Sequence, residues 1–164
     1  MTPGLVWGAT ARERAAALDC DTALPGARTR ADRALSVAAP PSLVFAWLCQ
    51  LRTAPYSYDL LDNLGRRSPR GRTPELVELA VGQRFMTVFE LVSFVHGEHI
   101  TLRSSAVAVT YAVRAEGTGT RLAARVLFRA PPLVGRVLAL GDLVMMRKQL
   151  RTLKTLAERE YRRS

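Results

Sequence analysis

The sequence has few cysteines and no long apolar run, and each shortage argues against a class of protein. Cys20 and Cys49 are its only cysteines, and they have no CxxC spacing. A disulfide framework or a zinc site therefore has little support. No segment approaches the roughly 20 apolar residues that a membrane-spanning helix needs. The start, MTPGLVWGATARER, lacks the pattern of a signal peptide, so we predict a cytoplasmic protein without integral membrane association.

Motifs for several common chemistries are also missing. The pair His96 and His99 forms HGEH, which is not the HExxH motif of zinc proteases, and no metal is predicted. Ser57 and Ser93 lack the G-x-S-x-G pattern. The chain also lacks a glycine-rich phosphate loop and a dinucleotide fingerprint, so no cofactor is predicted. These absences argue against a hydrolase, a kinase and a dehydrogenase.

The charge is strongly one-sided, with 24 Lys and Arg against 14 Asp and Glu and a net charge of +10. Most of the surplus lies in residues 33–72 and 131–164. We interpret it as a solvated surface, with an anionic ligand or an anionic membrane surface as the alternative. Nucleic acid is not predicted as a partner, because no helix-turn-helix, zinc finger or stacking-aromatic motif accompanies the charge.

The N-terminal region predicts one short helix and a strand. Thr10 and Glu13 have the capping-box spacing, in which each side chain accepts a hydrogen bond from the backbone N–H of the other residue. Residues 19–32 are interpreted as an extended connector because they contain a Pro-Gly turn. A strand is expected over residues 33–38, with Leu35 and Val37 on one face.

Two helices are predicted next. Pro40 and Pro41 begin the first, because proline suits the first turn of a helix. Its apolar stripe is Leu43, Val44, Trp47, Leu48 and Leu51. After Pro55, residues 56–64 are predicted to form a short helix that ends at Gly65, and a polar loop follows.

From Glu75 the apolar period becomes two, which predicts a meander of five antiparallel strands. Over residues 120–128, the side chains from Leu122 to Phe128 alternate with Arg121, Arg125 and Arg129, which are expected to face water. The partner strand, residues 106–113, has one bulky face with Val109 and Tyr111, and one nearly smooth face of Ala and Thr.

A final helical region is expected from Pro131 to about Tyr161, with an interruption at Gly141. Asp142 is interpreted as the N-cap of its main part, with a cavity-facing carboxylate as the alternative. The apolar stripe of this helix should lie against the concave sheet; it consists of Leu143, Met146, Leu150, Leu153 and Ala157.

This order of elements resembles a known superfamily. AAPPSLVFAWLCQL, PYSYDLLDNLG and MRKQLRTLKTLAERE are similar to segments of the START-like helix-grip (SRPBCC, polyketide cyclase/dehydrase-like) superfamily. The resemblance implies an α+β fold in which a bent antiparallel sheet wraps around a long C-terminal helix, with two short helices after the first strand. Residues 1–30 resemble an N-terminal extension of uncharacterised bacterial members, and residues 31–164 would form one ligand-binding domain.

The superfamily holds apolar ligands between its sheet and C-terminal helix, so the resemblance implies binding of a lipid, polyketide or aromatic molecule without catalysis. One alternative is a polyketide cyclase or dehydratase that uses a cavity Tyr, Asp or Arg. Another is a basic surface module for an anionic membrane or a protein partner. The expected ligand-binding residues are Trp47, Tyr56, Tyr58, Met86, Phe89, Tyr111, Leu143 and Met146.

Four residues are catalytic candidates. Tyr58 and Asp62 would lie one turn apart on a short helix, where they could orient a ligand or transfer a proton. Packing of the tyrosine and a backbone bond of the aspartate are the structural alternative. Arg84 is the cationic candidate. Glu90 could be a base if its strand were buried, although an exposed edge position would leave it without a role.

Overall fold

The computed structural model describes residues 4–56 and 67–164. In these residues the strands form one sheet in the order β1-β2-β7-β6-β5-β4-β3. The strands are β1 (Val6–Trp7), β2 (Thr29–Val37), β3 (Arg84–Phe85), β4 (Phe89–Val95), β5 (His99–Arg103), β6 (Val107–Glu116) and β7 (Gly119–Phe128). The helices are α1 (Ala11–Ala15), α2 (Cys20–Ala23), α3 (Pro41–Cys49) and α4 (Pro132–Tyr161). Short 3-10 turns occupy Gln50–Arg52 and Pro74–Val77.

The long helix α4 packs on the inner face of the sheet, as the helix-grip prediction requires. Leu150, Leu153 and Ala157 of α4 are buried with the inner side chains of β6 and β7 in the main core. Near the start of α4, a Cβ on Gly135 would lie 2.1 Å from Thr29 Oγ1 of β2. The helix can therefore approach the sheet this closely only because residue 135 has no side chain.

The five strands expected after Glu75 are confirmed as β3 to β7, all paired antiparallel to their neighbours. On β7, Leu122, Ala124 and Val126 are buried on the inner face. Helix α3 begins at Pro41, as expected, and its buried residues run from Val44 to Cys49. Cys49 is fully buried and Leu43 is half-buried.

The first long strand begins earlier than predicted. Strand β2 starts at Thr29 and pairs with β7 from Thr29 to Val37. The connector before it is not wholly extended, because Cys20–Ala23 form α2. Cys20 donates its backbone N–H to Thr110 Oγ1 at 3.0 Å. The prediction was wrong here because a tertiary bond holds this helix, which has no side-chain cap of its own.

Helix α4 is continuous, so the predicted interruption at Gly141 was wrong. Glycine in a helix costs about 1 kcal/mol relative to alanine, which tertiary packing along 30 residues can outweigh. Asp142 therefore lies inside the helix and is not an N-cap.

The outer face of the sheet is covered by the N-terminal segment, which corrects the expectation that Arg125 faces water. The Arg125 side chain is only 1% exposed. Its guanidinium bonds to Asp32 and Asp21 at 2.8 and 2.7 Å and to the carbonyls of Glu13, Arg14 and Ala16. Strand alternation predicted which face Arg125 occupies, but not what lies on that face.

The predicted capping box is confirmed at the start of α1. Glu13 accepts from the Thr10 N–H at 2.7 Å, and Thr10 accepts from the Glu13 N–H at 3.1 Å. Glu13 also accepts from Arg121 of β7 at 2.7 Å. The small side chains on the outer face of β6 accommodate α2, since Ala108 packs under Cys20 and Leu24. Small side chains on the sheet let α2 lie close to it.

Strand β1 was not expected from the sequence. It pairs with β2 in parallel at the sheet edge. Trp7 lies beneath the guanidiniums of Arg147 and Arg151 of α4, 5.4 and 5.5 Å from its ring centre. Residues 5–28 thus pass from the helix side of the sheet edge to the outer face. The division at residue 30 into extension and domain stays a prediction.

Two further expectations concern the middle of the chain and the membrane. The predicted helix over residues 56–64 lies almost wholly outside the described residues. Across the parts of the chain that the structure describes, no helix is both long enough and apolar enough to cross a membrane.

We expect Arg125→Ala to lower the free energy of unfolding by about 3 kcal/mol, because Asp32 would lose its buried partner and keep only the more exposed Arg30. Urea unfolding would measure the change. Arg129→Ala is the matched control, since Arg129 ends the same run of the chain but is exposed, and it should change stability by less than about 0.5 kcal/mol. Equal stability of the two variants would contradict the role given to Arg125.

Candidate functional site

A cavity of about 290 Å3 lies between α4, the inner face of β6 and the turn between β3 and β4. Strand β6 contributes alternate side chains, since residues two apart share a face. Helix α4 contributes residues three or four apart, which also share a face. The lining is Pro55, Met86, Thr87, Val88, Phe89, Val107, Val109, Tyr111, Val126, Asp142, Met145, Met146 and Gln149.

Two polar side chains of the cavity lining, Tyr111 and Gln149, are hydrogen-bonded to each other. Tyr111 donates to Gln149 Oε1 at 2.6 Å, and both side chains are buried. Gln149 Nε2 donates to the Pro55 carbonyl at 2.7 Å and to Met86 Sδ at 3.3 Å. Burial raises the pKa of Tyr111. Gln149 thus joins α4, β6 and the segments at Pro55 and Met86 around one cavity.

The third polar group of the cavity is the Asp142 carboxyl. Its Oδ2 accepts from Arg33 Nη2 of β2 at 3.3 Å. Arg33 is fully buried and also donates to the carbonyls of Leu5, Asp32 and Ala139. Burial raises the pKa of Asp142 to about 6, although Arg33 acts in the opposite direction. A carboxyl in this range can exchange a proton with a bound molecule near neutral pH.

The mouth of the cavity has an unusual backbone. Met86 and Thr87, in the turn between β3 and β4, have φ of 47° and 69°. A β-branched residue such as Thr87 rarely adopts positive φ. The Met86 N–H donates to the Leu51 carbonyl at 2.8 Å, which holds the turn against the end of the first 3-10 turn. Such strained positions cluster where a structure clamps a ligand.

The structure brings four of the expected ligand-binding residues to this cavity: Met86, Phe89, Tyr111 and Met146. That they bind a ligand stays a prediction. Leu143 is half-buried on α4 but is not part of the lining.

Trp47 and Tyr56 lie elsewhere. Trp47 is buried, and its Nε1 donates to Glu160 near the end of α4 at 2.9 Å. Tyr56 is also buried and packs edge-on against Trp47, with ring centres 6.0 Å apart. It borders a separate basic groove of about 620 Å3 that runs past Arg147 and Lys148.

The two catalytic candidates that the structure describes do not line the cavity. Arg84 and Glu90 face each other across β3 and β4 and are both exposed. Tyr58 and Asp62 lie outside the described residues. Both histidines also lie away from it: His99 bonds to Asp19 at 3.1 Å, and His96 packs against Phe45. The described residues contain no group of His, Cys, Asp and Glu suited to a metal ion.

Sequence reasoning missed Gln149 and gave Asp142 a different role. For Asp142, the structure supports the alternative of a cavity-facing carboxylate. A signal for both was present, since residues 142, 146, 149 and 153 recur at helical spacing. Polar residues within an otherwise apolar stripe are a sign of a binding wall.

Comparisons with known proteins agree with the helix-grip architecture. No protein family model matches the chain, and no curated protein matches it. Among solved structures, the KanY protein is similar, with a TM-score of 0.55 at 16% identity over 80% of this chain and 98% of that one.

Two further solved structures show the same likeness. A protein of Nitrosomonas europaea has a TM-score of 0.53 at 13% identity, over 80% of this chain and 95% of that one. The Aha1 dimer of Colwellia psychrerythraea has a TM-score of 0.51 at 11% identity, over 80% and 97%.

The α+β helix-grip fold is therefore confirmed for this chain. In this chain the long C-terminal helix packs against one face of the sheet, and the cavity lies between them. One fold can serve many functions, so the function is argued from the cavity itself.

Asp142 should make stability depend on pH. Its pKa in the folded protein, about 6, lies above its usual value of 3.8, so ionisation opposes folding. The stability it contributes is complete below about pH 4, and about 3 kcal/mol is lost as the pH rises from about 4 to about 6. Carboxyl carbon NMR should show a midpoint near pH 6. Glu13, whose pKa Arg121 lowers to about 2, is the control within the same spectrum.

A midpoint for Asp142 near its usual value would contradict the desolvation assigned to it. Thermal unfolding at a series of pH values provides the second readout. The stability contributed by Asp142 falls as the pH rises, whereas the stability contributed by Glu13 and Asp19 increases.

Proposed function

We propose that this protein binds an apolar small molecule in the cavity between α4 and the sheet. The observation that carries the proposal is a preformed cavity with apolar walls, toward which three polar side chains converge. Small-molecule sites typically have this composition. Tyr111, Asp142 and Gln149 would set the orientation of the ligand, and the methionines and valines would supply contact area.

The size of the cavity indicates the size of the ligand. A cavity of about 150 Å3 holds one benzene ring. At about 290 Å3, this one suits a molecule of roughly two aromatic rings or the same volume of alkyl chain. Burial of its apolar surface would supply about 25 cal/mol for each Å2 removed from water. The flexible side chains of Met86, Met145 and Met146 would adapt the wall to its shape.

Filling the cavity tests the proposal. Val107 lines it from the half-buried end of β6, so Val107→Trp should block binding without disturbing the central core. We expect wild-type protein to bind a naphthalene-sized aromatic in a 1:1 complex, seen by calorimetry and native mass spectrometry, and the variant to lose at least about 90% of the affinity.

The matched control is Val95→Trp, because Val95 is 45% exposed at the far end of β4 and does not line the cavity. It should bind as the wild type does. A folded wild-type protein that takes up no aromatic or aliphatic probe would contradict the proposal. The alternative of an enzyme is separated by recovering the bound molecule, which a binding protein returns chemically unchanged.

A second candidate function is binding to an anionic membrane surface, and one observation favours it. The first half of α4 exposes Leu133, Val137 and Leu140 by 75, 66 and 54%. Arg136 lies exposed among them. Apolar side chains next to basic ones on one helix are typical of segments that lie at a membrane interface.

Vesicle sedimentation tests this candidate. We expect binding to phosphatidylcholine vesicles that contain phosphatidylserine, weaker binding at high salt, and loss of binding in the double variant Leu133→Ser/Val137→Ser. Val95→Ser is the control, since it removes an exposed valine elsewhere. Binding that does not depend on phosphatidylserine, or that survives in the double variant, would contradict it.

A further inference from the structure

We infer that the ligand of this cavity presents a hydrogen-bond donor, a hydroxyl or an amino group, to Asp142 or Tyr111, and that molecules offering only a carbonyl, an ether or a carboxylate are discriminated against. This inference rests on the proposed function and deepens it, because it specifies the chemistry of the ligand. It follows from which polar atoms of the cavity lining already form hydrogen bonds within the protein.

Gln149 fixes the direction of the bonds. The Pro55 carbonyl can only accept, so the Gln149 atom 2.7 Å from it must be the amide nitrogen. That nitrogen gives its second proton to Met86 Sδ at 3.3 Å. Both N–H groups of Gln149 are thereby used, and its oxygen faces Tyr111.

Tyr111 follows from Gln149. Because Gln149 Oε1 is an acceptor, the Tyr111 hydroxyl must donate to it across 2.6 Å. The single proton of the hydroxyl is used in this bond. The phenol oxygen keeps lone pairs, which can only accept. Burial favours the neutral form of Tyr111, so no charge changes this assignment.

Asp142 adds the strongest acceptor. Its Oδ2 is occupied by Arg33, whereas Oδ1 has no hydrogen-bond partner among the residues that the structure describes. Oδ1 is also not one of their fully buried unsatisfied atoms. Since Asp142 lines the cavity, its free oxygen is available to a molecule there.

The donors of Arg33 do not alter this picture. Both of its terminal nitrogens are engaged by Asp142 and by the carbonyls of Leu5, Asp32 and Ala139. Its Nε has no partner among the described residues, but Arg33 is fully buried behind Asp142 and does not line the cavity. The Thr87 hydroxyl can donate, but Thr87 is exposed at the mouth of the cavity and is not part of its interior.

Among the residues that the structure describes, the interior side chains lining the cavity therefore offer acceptors and no free donor. A ligand hydroxyl or amine would satisfy the Asp142 oxygen, and a hydrogen bond to a charged group contributes about 1.5–3 kcal/mol. A ligand carbonyl or ether oxygen would be desolvated without a donor, which costs free energy. A ligand carboxylate would in addition meet the negative charge of Asp142.

A set of two-ring probes tests the inference on the wild-type protein. 2-Naphthol carries the donor, 2-methylnaphthalene has the same shape without one, 2-methoxynaphthalene offers only an acceptor, and 2-naphthoate is an anion. At about pH 8, where Asp142 is ionised and the naphthol is still neutral, calorimetry should give 2-naphthol a Kd at least about tenfold lower than the methyl and methoxy compounds. 2-Naphthoate should bind more weakly still.

Variants assign the preference to its residues. Asp142→Asn supplies an N–H and removes the charge, so it should lose the preference for 2-naphthol and gain affinity for 2-naphthoate. Because that change leaves Arg33 without its counter-charge, Tyr111→Phe is the second variant. It should weaken 2-naphthol binding less than Asp142→Asn does and leave 2-methylnaphthalene unchanged, because the freed Gln149 Oε1 is an acceptor in place of the phenol oxygen. Glu90→Gln, an exposed carboxylate outside the cavity, is the control and should change none of the affinities.

The outcomes separate this inference from the proposed function. If the methyl or methoxy compound binds as tightly as 2-naphthol, the inference is overturned while the binding function stands. If 2-naphthoate binds best, the inference is overturned in the same way. If no probe binds to folded protein, both are overturned. Full preference for 2-naphthol in both variants would overturn the assignment to Asp142 and Tyr111.

Discussion

Asp32 and Arg33 are consecutive residues of β2, and their buried charges join the three layers of the molecule. Successive strand side chains point to opposite faces. Asp32 therefore faces outward and pairs with Arg125, whose guanidinium holds the N-terminal segment through three carbonyls. Arg33 faces inward and binds Asp142 and the Ala139 carbonyl of α4. Through the Leu5 carbonyl it also reaches the segment that begins β1.

Such buried pairs are costly to form, because two charges must leave water, and are more costly to break when one partner is removed. They hold specific elements together at specific positions. Arg33 fixes α4 at the turn where Asp142 enters the cavity, so the same contact that positions the helix also positions the carboxyl group. The fold and the candidate site thus share one interaction, and Arg33 affects the site without lining it.

The N-terminal segment closes the opposite side of the sheet, away from the cavity. The alanines of β6 and β7 leave room for α1 and α2, and Thr110 and Arg125 give these short helices polar anchors. Neither helix is long enough to be stable alone. Their position is therefore a property of the sheet face beneath them. The inner face of the same strands has large side chains, and the cavity forms where Val107, Val109 and Tyr111 meet α4.

How much the sequence predicted differs between local and distant contacts. The capping box at Thr10, the start of α3 at Pro41 and the five strands after Glu75 were predicted correctly, because each depends on neighbouring residues or on a simple period. Tyr111 was assigned to the correct face of β6 for the same reason. Gln149 and Asp142 were not recognised as a polar wall, since their partners Pro55 and Arg33 are 94 and 109 residues away in the chain.

The sequence by itself determined the periods, the helix starts and the face on which each strand side chain lies, because backbone geometry within a few residues decides these. Tertiary structure alone decided that Arg125 is buried, that α4 continues through Gly141, and which oxygen of Asp142 accepts from Arg33. Each of these depends on what a distant segment places against the residue. An arginine in a solvated row and an arginine under three carbonyls have the same local pattern, and only the packed fold distinguishes them.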